Sequence, residues 1–147
     1  MKPLSYDDLL PLMEEMFSLG KDVEFIPHGN SMLPLLHSGK NRVVLKKPIF
    51  PLKKYDIPFY RRTDGQFVLH RIIAVKEKGY MCCGDGQITK EYPVTDGQVL
   101  AVVKGYYTAG GKYVDVKAFS HRFYAFFRVL SRPVRALPKR IKRMFMR

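Results

Sequence analysis

The turn Thr63-Asp64-Gly65-Gln66 constrains this chain more than any other short stretch. Asp-Gly between two strand-forming runs is a tight hairpin signal, because the favoured turn needs left-handed backbone at its centre. It joins residues 56–61 to residues 66–75, so these segments are expected to pair antiparallel. Pro58 puts the first of them at a sheet edge or a bulge, since proline has no amide to donate. Further strand-like runs cover 21–27, 42–45, 80–83, 98–107 and 112–116, the last two joined through Ala109-Gly110-Gly111. Several short strands at hairpin spacing predict a mainly β, antiparallel domain. One short helix precedes them. Ser5 offers a cap, Asp7 and Asp8 fill the first turn, and Leu9, Leu12, Met13, Met16 and Phe17 recur at helical spacing until Gly20. Its expected role is to cover one sheet face.

The first strand runs into Gly29-Asn30-Ser31-Met32-Leu33-Pro34-Leu35-Leu36. A glycine two residues before the serine admits backbone that a Cβ would forbid, and Pro34 fixes the turn that follows. A serine so mounted suits a nucleophile, and it equally suits a helix cap. Two later segments bear on that choice. Residues 66–75 form a strand with His70 embedded in it, and residues 80–83 form another that ends in Gly84-Asp85-Gly86.

Gly29-x-Ser31-Met32-x-Pro34, Val68-Leu69-His70-Arg71-Ile72 and Cys83-Gly84-Asp85-Gly86-Gln87 together resemble the type I signal peptidase and LexA-like serine peptidase superfamily. The likeness spans about residues 23–103, including Asp56-Ile57-Pro58-Phe59-Tyr60-Arg61, which looks like a further family strand. It implies a LexA/signal-peptidase-like β domain with a serine endopeptidase activity, no metal and no organic cofactor. Ser31 would be the nucleophile and His70 the general base, because a serine hydroxyl needs a base to take its proton and imidazole titrates near neutrality. Bacterial members usually carry lysine at the His70 position, so the histidine resembles the archaeal and endoplasmic-reticulum types. Asp85 is the first choice to orient the imidazole, making a triad of the dyad, and Glu91 is the alternative acid. Asp85 also suits a simple turn cap. The Ser31 amide would serve the oxyanion hole, and Gly29 has no hydroxyl to add. The implied partner is an extended peptide, a signal, leader or own-chain segment, added along a strand edge.

Other side chains have plainer readings. His28 adjoins the serine without having to face it, while His37 and His121 read as surface or packing residues without metal-ligand context. Lys46 and Lys104 would matter as bases only if one reached Ser31. Arg71 reads as a support for the sheet surface or a turn. Cys82 and Cys83 are adjacent, point to opposite faces of a strand and read as reduced packing thiols. Residues 46–54, with two prolines and four lysines around Ile49-Phe50, read as a solvated loop.

Charge divides the chain. Of the net +13, residues 1–116 carry +3, while residues 117–147 carry ten Lys/Arg and no acid. The division gives a catalytic β domain over 1–116 and a basic amphipathic helical tail over 117–147. In that tail Phe119, Phe123, Phe126, Leu130, Val134, Leu137, Ile141 and Phe145 make an apolar helical stripe, which Pro133 and Pro138 should interrupt. Basic amphipathic helices with aromatic anchors lie in membrane interfaces; the plainer alternative packs Phe119 to Leu130 on the sheet. The N-terminus reads as neither a membrane span nor a secretion signal. The expectation is therefore a cytoplasmic protein, peripheral on an anionic membrane surface through 119–147. A different class of function is a non-catalytic LexA-like module that binds anionic membrane or nucleic acid through this tail. Against nucleic acid, no helix-turn-helix and no stacking aromatic motif is evident.

Overall fold

A computed structural model describes residues 5–137. Helix α1, Tyr6–Ser18, opens the described chain, with the Ser5 hydroxyl accepting a hydrogen bond from the Asp8 amide. Nine strands follow: β1 Val23–Phe25, β2 Val43–Lys46, β3 Pro58–Arg61, β4 Phe67–Leu69, β5 Arg71–Lys76, β6 Gly79–Cys83, β7 Glu91–Val94, β8 Val99–Tyr107 and β9 Tyr113–Asp115. Helix α2, Phe119–Leu130, and the single turn α3, Arg132–Arg135, complete it, with Pro133 in the first turn of α3. The remaining stripe residues, Ile141 and Phe145, with Pro138, lie outside the described residues.

The architecture is mainly β, with antiparallel pairing throughout. Six strands form one sheet in the order β1-β2-β8-β3-β4 with β9 added to β8, and β5-β6-β7 form a second. The Asp-Gly hairpin pairs β3 with β4, Tyr60 opposite Val68. Pro58 opens β3, which lies inside the sheet, and a bulge follows at Phe59/Tyr60 where β3 meets β8. β7 was missed in the sequence: Glu91-Tyr92-Pro93-Val94 is short, polar at its start and carries a proline.

Strand alternation divides the interior in two. Val43, Leu45, Phe59, Leu69, Ala101 and Val103 gather on one face beneath Leu9 and Met13 of α1. Their neighbours Tyr60, Val68, Val99 and Val102 point the other way, onto Ile72, Tyr80 and Cys82 of the second sheet. Burial on both faces explains why β8 is apolar almost without interruption. The run 66–75 is not one strand. It leaves the first sheet after Leu69 and joins the second at Arg71, and His70 is the residue of passage.

Candidate active site

Gly29 has φ +112°, a conformation that favours glycine, and its amide donates to the Ser38 hydroxyl at 2.8 Å. The turn after it buries Met32 and Leu36 in the core beneath α1. Ser31 stays at the surface of that anchor. Its carbonyl accepts from the Gly86 amide at 2.9 Å, which fastens the serine turn to the Gly-Asp-Gly turn. Gly84 lies between serine and histidine: a Cβ there would sit 2.3 Å from the Ser31 carbonyl oxygen and 3.2 Å from His70 Cδ2.

Ser31 and His70 both line one cavity of about 180 Å³, with Phe67 and Leu69 of β4, Met32 and Arg62 among its walls. Among the described residues no hydrogen bond joins the serine hydroxyl to the ring, whose contacts are made through Nδ1. The Tyr60 hydroxyl lies 3.4 Å from Nδ1, and Glu91 Oε2 lies 3.7 Å away. Tyr60 donates its proton to Glu91, and Arg62 forms an ion pair with the same carboxylate. With Tyr60 donating to Glu91, its hydroxyl oxygen and the carboxylate both face Nδ1 as acceptors, an arrangement that favours the tautomer protonated at that nitrogen. Burial holds the His70 pKa below 6.5, and the Glu91 charge partly offsets that shift. Burial and the Glu91 bond keep the Tyr60 phenol protonated far above its usual range.

Asp85, the first choice for the third group, is engaged elsewhere. Its carboxylate takes Arg71 Nε and Nη2 at 2.8 and 3.0 Å, and the Tyr124 hydroxyl at 2.9 Å. The acid that faces the imidazole is Glu91, brought in by β7 beside Cys82. Arg71 is wholly buried, so it supports no sheet surface; it holds the Gly-Asp-Gly turn, the Tyr55 carbonyl at 2.9 Å and the edge of His121. His121 is buried too. Its Nδ1 meets the Tyr106 hydroxyl at 2.9 Å, and burial together with Arg71 lowers its pKa to about 4.

His28 and His37 line the cavity without a described bond to Ser31. Lys104 pairs with Asp22 on the surface at 3.0 Å, and neither it nor Lys46 lines the cavity. Both cysteines are buried free thiols, and burial pushes Cys82 up to about 12. No group of three metal-ligating side chains occurs among the described residues. Tyr60, Arg62 and Arg71 are the site's unforeseen members. Comparison with family models, with curated proteins and with solved structures returned no match.

Proposed function

We propose that this protein is a serine endopeptidase of the signal-peptidase-like kind, with Ser31 as nucleophile, His70 as general base and Glu91 as the acid that orients the base. The observation that carries this reading is a serine and a buried imidazole on one cavity, the imidazole backed on its far nitrogen by a carboxylate. His70 Nε2 takes the Ser31 proton as the oxygen attacks a peptide carbonyl. The imidazolium then gives that proton to the departing amine, and water repeats the sequence on the acyl-enzyme. Glu91 and Tyr60 stabilise the transient charge through Nδ1. The Ser31 amide donates to no described acceptor and is free for the oxyanion. Catalytic hydrogen bonds of this kind commonly shorten when substrate arrives.

The substrate is an extended peptide, a signal, leader or own-chain segment. β4 is a terminal strand of its sheet and three of its residues line the cavity, so a peptide added at that free edge passes Ser31. The reaction uses neither metal nor organic cofactor. Incubation with an extended-peptide library should yield cleavage that Ser31→Ala and His70→Ala each reduce by roughly 10³-fold or more. Cleavage unchanged in either variant would refute the assignment, as would failure of a fluorophosphonate or lipopeptide inhibitor to label Ser31.

A further inference from the structure

α2 is built inside out. A helix on a globular core normally turns its apolar stripe inward, but here the inward face is mostly polar, with Ala125 as its one fully buried apolar side chain. His121, Tyr124 and Arg128 face the protein, and Tyr124 and Arg128 bond the carboxylate and carbonyl of Asp85. Arg135 of α3 adds a bond to the same carbonyl at 3.0 Å. The stripe faces solvent instead: Phe119 is 82% exposed, Phe123 56% and Leu130 60%, with Phe126, Phe127 and Val134 nearly half exposed. Phe123 and Phe127 lie in tilted contact at 4.5 Å between centroids, and Phe119 and Phe126 flank them. The segment Phe119 to Leu130 does pack on the body of the protein, as the plainer sequence alternative has it, but through His121, Tyr124, Ala125 and Arg128 and not through its phenylalanine stripe. Scattered exposed apolar side chains need no explanation, but a contiguous aromatic row does.

We propose that the outward face of α2 and α3 docks into the interface of an anionic lipid bilayer. Phenylalanines enter the headgroup–acyl boundary, while cations around them meet lipid phosphates. Charge selects this occupant. Exposed Lys117 and Arg122 lie in and beside the row, and residues 117–147 hold ten Lys/Arg with no acid. A second copy of the chain would bring two such segments together and repel. No described helix is long and apolar enough to cross a membrane, so docking is along the surface.

The test uses the full chain with vesicles of phosphatidylcholine alone or mixed equally with phosphatidylglycerol. Co-sedimentation is expected with the mixed vesicles, and roughly tenfold or more weaker with phosphatidylcholine alone. Phe123→Glu with Phe127→Glu should remove the binding. The chain has no tryptophan, so Phe127→Trp gives a single reporter whose emission should shift to the blue on mixed vesicles and be quenched by brominated lipid. An unshifted reporter overturns the proposal even if the double variant fails to fold. Full vesicle binding by the folded double variant overturns it too, as does a vesicle-free dimer that this variant abolishes, or salt-sensitive nucleic-acid binding in place of lipid binding.

Discussion

Glu91 and His70 meet at 3.7 Å, close enough for the carboxylate to hold a positive imidazole and too far for a tight ion pair. Removing that charge should act in two ways. In Glu91→Gln the imidazolium loses its partner, so kcat should fall, by about 100-fold, the lower end of a general acid–base contribution. The same loss lowers the His70 pKa further, so the acid limb of kcat/KM, expected below pH 6.5 in the parent, should move to lower pH. A pH–rate profile checks both, and an unmoved limb would limit Glu91 to a packing role. Gly84→Ala tests the other side of the ring. Its methyl would meet the Ser31 carbonyl at 2.3 Å, backbone that cannot swing aside, so cleavage should drop severely while Gly97→Ala, whose methyl meets only Thr95 Oγ1 at an ordinary 4.0 Å, leaves the rate near parental. The candidates Ser31, His70 and Glu91 could be named from the sequence because motif positions of the family it resembles fall on them. The choice of Glu91 over Asp85 was not legible there, because it depends on a short polar strand that carries no periodic signal. Tyr60 was not legible either: the observed register sets it opposite Val68, where a two-residue Asp-Gly turn would set it opposite Leu69, and it meets His70 only because the chain leaves β4 after Leu69.

At the scale of elements, Arg71 and Asp85 tie β5, the turn after β6, and α2 into one unit. Both side chains are almost fully out of water, and each satisfies the other through two hydrogen bonds. Breaking such a pair leaves a buried charge, so Arg71→Ala should cost about 3–5 kcal/mol in urea unfolding. A loss below about 1 kcal/mol, the range of surface pairs, would contradict this account. α2 itself was legible as a helix from its spacing, but its orientation was not. A stripe of phenylalanines predicts which residues share a face and says nothing about which way that face turns. Tertiary partners decide that, and here Asp85 accepts donors that only the polar face of α2 can supply. The same limitation applies to residues 66–75, whose composition reads as one strand because both halves are strand; the change of sheet at His70 leaves no mark in propensity.

For the whole molecule, the two buried histidines make stability fall with acid. His121 faces Arg71, Asp85, Tyr106 and Tyr124, and its folded pKa of about 4 lies below the unfolded 6.5. Between those values the unfolded chain binds the extra proton, so stability is full above pH 6.5 and declines until about pH 4. That interval is worth on the order of 3 kcal/mol from His121 alone, and His70 acts in the same direction. Denaturant midpoints at pH 7 and pH 4.5 should differ accordingly, with His121→Gln reducing the difference; a midpoint that rises on acidification would contradict the burial of both rings. The mainly antiparallel β organisation was readable from turn signals alone, since Asp-Gly and Gly-Gly pairs leave few other ways to connect such runs. The two-sided core was less readable, because β8 shows only a long apolar run.

The order in which a ribosome releases the chain adds a consequence to the Asp85 contacts. The serine turn and the imidazole emerge early, while Tyr124, Arg128 and Arg135 follow some forty to fifty residues after Asp85. Until they arrive, the carbonyl and one carboxylate oxygen of that turn lack these donors, and the turn bonded to Ser31 is incompletely braced. The candidate site is therefore fully braced only once α2 and α3 have left the ribosome and folded back onto the turn that precedes them.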